Sequence, residues 1–281
     1  MNRLSLQILN SNRVGELDIL LSSLLSQTYQ AWDLILLDES KTPVMNHKHI
    51  KDLITRMKCD GHGVIYQHQD AIYNIGKNRN RCFKIDTFKN ELCVRIDDDS
   101  YCDKYYLENL VNSYFQAVSE DYKVGAIGGI VPVLGAPQIY KELPKIFNRI
   151  LFSEQGDILS MADDGGNSYN SNEGDNLILS HHLRSSFLFT REAYLAVKGH
   201  PLEYGFNGFR EETDFSIKMA FAGYKLFTNV NAICWHSQAG GGSRQFSPQE
   251  YQNLVRLNDL HFRTKVKHWY QNKGGNPYVN K

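Results

Sequence analysis

The sequence predicts an α/β fold, with a mostly parallel central sheet flanked by helices. Three observations predict it. Strand-like and helix-like patterns alternate through the first hundred of its 281 residues, with short connections that imply right-handed crossovers. Several strand runs are apolar almost throughout, as strands covered on both faces are. Carboxylates sit where those runs end, the side of such a sheet where ligands collect.

The elements follow in order. "LSLQIL" (Leu4 to Leu9) reads as a strand. In "ELDILLSSLLSQ", Leu17, Leu20, Leu21, Leu24 and Leu25 recur at helical spacing and form one apolar face. "WDLILLDES" is a buried-strand run ending in Asp38. A polar helical segment from about Asn46 to Lys58 precedes the strand "GVIYQHQ". Ile75, Arg79, Cys82, Phe83 and Ile85 mark the next helix, and Leu92 to Ile96 the next strand. Beyond Pro132 the pattern changes. Ser160 to Asn176 is polar, Gly- and Asn-rich, and too long for a plain connector. "SSFLFTREAYLAVKGHP" reads as a strand, a short helix and a Gly stop. A helix is expected from Glu211 to about Ala222, then a strand pair to His236, then a helical tail from Pro248.

Lys+Arg and Asp+Glu balance at 31 each, so the basic excess of a nucleic-acid-binding protein is missing. Five scattered cysteines without a C-x-x-C pair argue against a disulfide framework or a zinc knuckle and fit a reducing compartment. No run of about 18 apolar residues indicates a membrane span. The start, "MNRLSLQILNSNR", lacks the pattern of a signal peptide. A cytoplasmic protein is the expectation.

Three constellations carry chemistry. "ELCVRIDDDSYCDKYYLENL" places Asp97, Asp98 and Asp99 at the end of an apolar strand. Three adjacent like charges fit either a bound cation or a solvated turn, with Ser100 or Asp103 capping the next helix. Asp97 and Asp99 share a direction along a strand, and Asp98 faces away. In "FREETDFSIKM", Glu211, Glu212 and Asp214 either complement a helix N-terminus or include a general base. In "ICWHSQAGGGSR", His236 ends a strand, as a structural residue or as an imidazole ligand to a metal. The glycines beyond it form a mobile loop, a lid or a phosphate-binding nest. Walker A, G-x-G-x-x-G and G-x-S-x-G patterns are missing.

Together these pieces resemble the family 2 glycosyltransferases of GT-A fold, from about Leu4 to Ser243. "LSLQILNSNRVGEL" is similar to the family's opening strand and loop; Asn12 and Arg13 match, while Leu9, Asn10 and Ser11 depart from Pro-Thr-Tyr. "LILLDES" resembles the strand that ends in V-D-D-G-S. "NIGKNRNRC" is similar to an element fitted by Asn74, Gly76, Arg79 and Asn80. "RIDDDS" resembles the D-x-D element, and "REETDFSIKMAFAGYKL" the E-D-x-D helix with Glu212 in the aspartate's place.

The resemblance implies a GT-A, Rossmann-like domain over residues 1–245. Residues 1–103 would bind the nucleotide sugar, 104–245 would form an acceptor-side extension, and 246–281 a helical tail. It implies an inverting, Mn²⁺- or Mg²⁺-dependent transfer from a nucleotide-diphosphate sugar, most often a UDP-sugar. The acceptor would be a hydroxyl of a glycan or lipid-linked molecule, in polysaccharide or glycoconjugate synthesis. Asp38 falls on the nucleobase position, Asp97 near the ribose, and Asn10, Arg13, Arg79 and Asp98 among the donor contacts. Asp99 and His236 would hold the metal. Glu212, or Glu211 beside it, would be the base. Arg79 or Arg244 would face the phosphates, and Ser160–Asn176 and "AGGGSR" would close over bound donor. The rival classes are a non-catalytic GT-A binding module and a sugar nucleotidyltransferase, whose Gly-rich opening loop "NSNRVGEL" lacks. The basic, aromatic tail (Lys265, Lys267, Trp269, Tyr270, Lys273) is a candidate for peripheral membrane contact, against a solvated segment that packs one or two aromatics.

Overall fold

The apolar runs pair in the computed structural model, which describes residues 2–70, 74–134, 139–140, 144–164, 168–169, 176–205, 207–240 and 246–278. The first half alternates β1 (Leu4–Asn10), α1 (Val14–Leu25), β2 (Trp32–Asp38), α2 (Lys48–Cys59), β3 (Val64–His68), α3 (Ile75–Ile85) and β4 (Leu92–Asp97). There follow β5 (Ser100–Cys102), α4 (Tyr106–Ser119), β6 (Val124–Ile130), β7 (Ile139–Tyr140), β8 (Ile150–Phe152), β9 (Ile158–Met161), β10 (Ser168–Tyr169), β11 (Leu177–Ser180) and β12 (Phe187–Thr190). The chain ends with α5 (Arg191–Ala196), α6 (Glu211–Phe221), β13 (Lys225–His236) and α7 (Pro248–Asn272).

The central sheet has the order β11-β13-β6-β12-β4-β1-β2-β3, with β5 added beside β13. β1, β2, β3, β4, β6 and β13 run one way; β5, β11 and β12 run the other. The expected α/β architecture, a mostly parallel sheet flanked by helices, is therefore present. Every residue of β2 is buried, which its unbroken apolar sequence requires. The α1 stripe Leu17, Leu20, Leu21 and Leu24 is fully covered and packs in one core with Leu4, Leu6 and Leu34. Each such side chain contributes roughly 1.5–3 kcal/mol relative to exposure. That term holds the helix onto the sheet.

Four local expectations need correction. The reading left β6 unmarked, because "VGAIGGI" carries three glycines and little strand signal. Ser100 is not a helix cap but opens β5, opposite His236 in β13. Asp103 forms a turn instead of a cap: its carboxylate accepts from the Tyr105 N–H at 3.1 Å and its carbonyl from Tyr106 N–H at 2.9 Å. The expected strand pair before His236 is one long strand, kinked where its register against β6 slips between Asn229 and Ile233. The kink lets one half of β13 lie in the sheet while its end carries His236 over to β5.

The tail packs along one face and leaves the other to solvent, in line with a solvated segment that packs an aromatic. A capping box of Ser247 and Glu250 starts α7; such caps contribute about 1 kcal/mol. Phe262 and Val266 are fully buried with Ile150, Ile158, Tyr204 and Ile217. Two of the three basic residues named for membrane contact have acidic partners: Lys265 pairs with Asp214 at 2.8 Å and Lys267 with Asp157 at 2.8 Å. Among the described residues, no helix is long and apolar enough to cross a membrane.

At the β13 kink, backbone approaches backbone. A Cβ on Gly129 would sit 2.0 Å from the carbonyl oxygen of Ala232. Gly129→Ala should therefore destabilise the fold by about 1–3 kcal/mol through overpacking. Gly15→Ala on α1, where nothing lies within 4 Å, should be neutral or slightly stabilising. Thermal denaturation of both variants checks this, and equal melting points would refute it.

Candidate active site

A cleft of about 610 Å³ opens where β1, β2, β4, β6 and β13 end. Asn10, Glu39, Asp97, Val131 and His236 line it from those strand ends, and Glu212 lines it from the start of α6. Carboxyl ends of parallel strands place backbone termini and loops around one opening, so residues far apart in sequence converge there.

The three aspartates relieve their mutual repulsion by facing different partners. Arg79 donates to Asp97 at 2.8 Å, and Ser185 Oγ donates to its other oxygen at 2.5 Å. Burial opposes ionisation, but Arg79, Arg95 and His236 hold the Asp97 carboxyl far below the usual range. Asp98 accepts from Arg13 at 2.8 Å and from the Ser11 N–H at 3.3 Å. Burial dominates there and pushes it up to about 6, with Arg13 opposing. Asp99 meets His236 Nε2 at 3.0 Å and accepts from the Ala239 N–H at 3.0 Å. Burial raises its proton affinity, yet His236 and Arg13 bring the net shift below the usual carboxylate value. Arg13 also donates to the carbonyls of Ala239 and Gly240, so it staples the loop after β13 to the aspartates.

Glu211 and Glu212 are adjacent but differently used. Glu211 is buried, accepts twice from Arg95 Nη1 at 2.9 and 3.1 Å, and meets His200 Nδ1 at 2.6 Å. Burial alone would raise its pKa; Arg95 and His200 bring it to about 2. Glu212 is half-buried on the cleft wall. Among the described residues no other residue hydrogen-bonds or ion-pairs with its carboxylate, which is met only by its own backbone N–H. Its pKa is raised, first by burial and then by the charges of Glu211 and Asp97, with Arg95 opposing. Asp214 is turned away from the cleft, bonded to Tyr204 at 2.6 Å and Lys265 at 2.8 Å.

The structure therefore brings Asn10, Arg13, Arg79, Asp97, Asp98, Asp99, Glu211, Glu212 and His236 to one cleft. Asp38 is not among the lining residues. It is fully buried, and four protein donors (Asn10, Ser40, Val44 and Tyr66) fill its carboxylate at 2.8–3.2 Å. It braces the β1 and β2 ends, and its neighbour Glu39 lines the cleft instead. Arg79 is fully buried and both its terminal nitrogens are engaged: beyond Asp97 they serve the carbonyls of Gln7 and Ile96, which makes it a support for the acidic corner. Arg244 and much of Ser160–Asn176 lie outside the described residues. Arg95, His200 and Ser185 were missed. Only Arg95 carried a signal, a charge inside an apolar strand, which demands a buried partner.

No group of three or more His, Cys, Asp and Glu side chains able to hold a metal occurs among the described residues. The pair Asp99 and His236 still suits a divalent ion. Their 3.0 Å separation is close to the edge of an octahedron with bonds of about 2.1 Å, and such ions take one or two protein ligands plus phosphate oxygens and water.

The family profile described as Glycosyl transferase family 2 matches residues 5–170. No curated protein is recognisably similar in sequence. Solved structures share the fold. GalNAc-T7 with UDP, GalNAc and Mn²⁺ superposes with a TM-score of 0.65 at 12% identity, over 98% of this chain and 55% of that one. The mannosyltransferase PcManGT of Pyrobaculum calidifontis, in complex with GDP-Man and Mn²⁺, gives 0.59 at 12% identity over 96% and 70%. TarS of S. aureus gives 0.58 at 12% identity over 92%, and the chain spans only 39% of its length.

The buried polar groups make stability depend on pH. Burial lowers His200 from 6.5 to about 4 despite Glu211 beside it, so the unfolded chain binds the extra proton between those values. Its contribution is complete above 6.5 and is lost as pH falls towards 4. Glu211 adds a second loss as pH falls from 4.5 through about 2. Urea midpoints should decline across the first window, and His200→Gln should flatten that decline. Glu211→Gln should cost about 3–5 kcal/mol by leaving Arg95 buried and unpaired, which the same urea curves measure.

Proposed function

Because the chain belongs to glycosyl transferase family 2, we propose that it moves a sugar from a nucleotide-diphosphate sugar to a hydroxyl of a glycan or lipid-linked acceptor, with inversion at the transferred carbon. The observation that carries this reading is the meeting, in one cleft, of the Asp97–Asp99 corner, His236 and an uncommitted carboxylate, Glu212. The neighbours described above with nucleotides, sugars and Mn²⁺ support a donor of this class.

Glu212 is the base. Its half-buried carboxylate has a raised proton affinity, and a base that holds its proton more tightly removes one from an alcohol more readily. It takes the hydrogen of the acceptor hydroxyl while that oxygen bonds to the anomeric carbon. The bond from that carbon to the diphosphate oxygen breaks on the opposite face, and the electron pair leaves with the diphosphate. Glu211 is the rejected alternative, because protonating it would strand Arg95. Asp99 and His236 would hold Mn²⁺ or Mg²⁺, which would offset the charge on the departing diphosphate as a Lewis acid. Asp97, set by Arg79 and Ser185, is placed for the ribose. Asp98 and Arg13 keep the loop after β13 against the donor, and Asn10 shapes the floor beneath the nucleoside.

Glu212→Gln should lower transfer roughly 10²–10⁴-fold and leave donor binding intact, read by calorimetry beside a transfer assay. Full activity would move the base elsewhere. Asp99→Ala should abolish the Mn²⁺-dependent part of UDP binding; a titration unchanged from the parent protein would sink the metal assignment.

A further inference from the structure

Among the described residues five arginines line the cleft, and four already face carboxylates: Arg13 with Asp98 at 2.8 Å, Arg79 with Asp97 at 2.8 Å, Arg95 with Glu211 at 2.9 Å, and Arg210 with Asp259 at 2.8 Å. Arg184 differs. Among the described residues no carboxylate lies within ion-pairing distance of it, and its one protein bond runs from Nη1 to the Asp163 carbonyl at 3.2 Å. It is half-buried, so part of its hydration is already lost. Its backbone is fixed on the next residue: Ser185 adopts a left-handed conformation (φ 52°) and is tied by its hydroxyl to Asp97.

A second donor on the same cleft lacks a partner among the described residues. Asn207 is 6% exposed. Its amide oxygen accepts from Asn258 at 2.7 Å, while its amide nitrogen is buried with no hydrogen-bond partner among the described residues. Buried donors left unmet cost about 1–3 kcal/mol, so their retention on a cleft wall points to an acceptor group that arrives with the ligand. Phe209 and Tyr251 line the same cleft, with the Arg210 guanidinium 4.7 Å over the Phe209 ring.

Resting on the transferase reading, we infer that Arg184 and Asn207 receive an anionic group, a carboxylate or phosphate, carried by one of the two saccharides that meet in the cleft. The substrate class thus includes an acidic sugar. The charge resides either on the sugar of the donor or on the acceptor, and the chemistry of recognition is the same. A guanidinium binds such a group with paired, charge-assisted hydrogen bonds that a neutral hydroxyl cannot reproduce.

The test compares acid and neutral members of each pair on the parent protein, Arg184→Gln and Arg184→Lys, with Mn²⁺ present. Calorimetry of UDP-glucuronate against UDP-glucose reads the donor arm. Saturation-transfer NMR of methyl glucuronide and glucose 6-phosphate against methyl glucoside, on the UDP complex, reads the acceptor arm. In one arm the parent should prefer the acid by about ten- to a hundredfold. Arg184→Gln should erase that preference and Arg184→Lys should keep part of it. Circular dichroism confirms that each variant is folded. UDP binding with no acid preference in either arm overturns the proposal and leaves the transferase reading standing. An Arg184→Gln protein that loses affinity for UDP itself as strongly as for the acid sugars places Arg184 on the diphosphate, which also overturns it. If neither UDP nor GDP binds with Mn²⁺, the transferase reading fails, and this proposal with it.

Discussion

The buried ion pair between Arg95 on β4 and Glu211 on α6 is the constraint on which the cleft depends. Both side chains are at most 3% exposed, so neither charge has water to fall back on. Removing either partner would leave a charge in a low-dielectric interior, a penalty far larger than the net value of the pair. The pair therefore acts less as glue than as a register pin. β4 alternates its faces, which puts Arg95 and Asp97 on one side. α6 turns about 100° per residue, which carries Glu212 off the axis of Glu211 and onto the cleft wall. One interaction thus fixes how far a carboxylate on the helix stands from the acidic corner of the strand. His200 closes the remaining side of Glu211, and its ring stacks on Phe215 of the same helix at 3.7 Å.

The same logic explains how a neutral chain tolerates so many acids in one place. Each aspartate of the triplet is met by a different cation or imidazole delivered from a different segment: Arg79 from α3, Arg13 from the turn before α1, His236 from the end of β13. The triplet is neither a free turn nor a bare cation cage. It is a hub where three parts of the chain are cross-linked by charge, and ordering of those segments is coupled to it. Asp99 and His236 hold each other at a spacing that a cation could share without large movement, so preorganisation is built into the pair.

Much of this was legible in the residues, for reasons that differ by element. β1, β2 and β4 were legible because doubly covered strands must be apolar, and α1 because its leucines keep a strict helical stripe. The acidic corner, His236 and the α6 carboxylates were legible because polar residues at the ends of apolar runs have few structural excuses. β6 was hidden by its glycines, which are there for close backbone approach, Gly129 against Ala232 above all; that need belongs to tertiary packing and leaves no local pattern. Asp38 was misplaced because a carboxylate at a strand end can point up into a cleft or down into the turn that follows. The choice rests in part on Asn10 and Tyr66, each 28 residues away, which no local window contains. Arg184 was unreadable for a related reason: what sets it apart is that, among the described residues, no carboxylate stands beside it in space.

The C-terminal helix belongs to the chemistry through a chain of contacts. Arg210, the residue just before Glu211, is held in a left-handed conformation (φ 75°), which for a side chain of this size costs about 1–3 kcal/mol. Such strain persists only where surrounding contacts outweigh it. Those contacts come from outside the catalytic half: Asp259 of α7 accepts from Arg210 at 2.8 Å and from Arg263 at 2.6 Å, and Asn258 donates to Asn207 at 2.7 Å. Lys265 of the same helix neutralises Asp214 one turn inside α6. Asp214 lies only about 60° round α6 from Glu211, so α7 and Arg95 hold neighbouring flanks of its first turn and leave Glu212 facing the cleft. A helix that reads as an appendage in sequence is thus one support of the turn that carries Glu212, the proposed base.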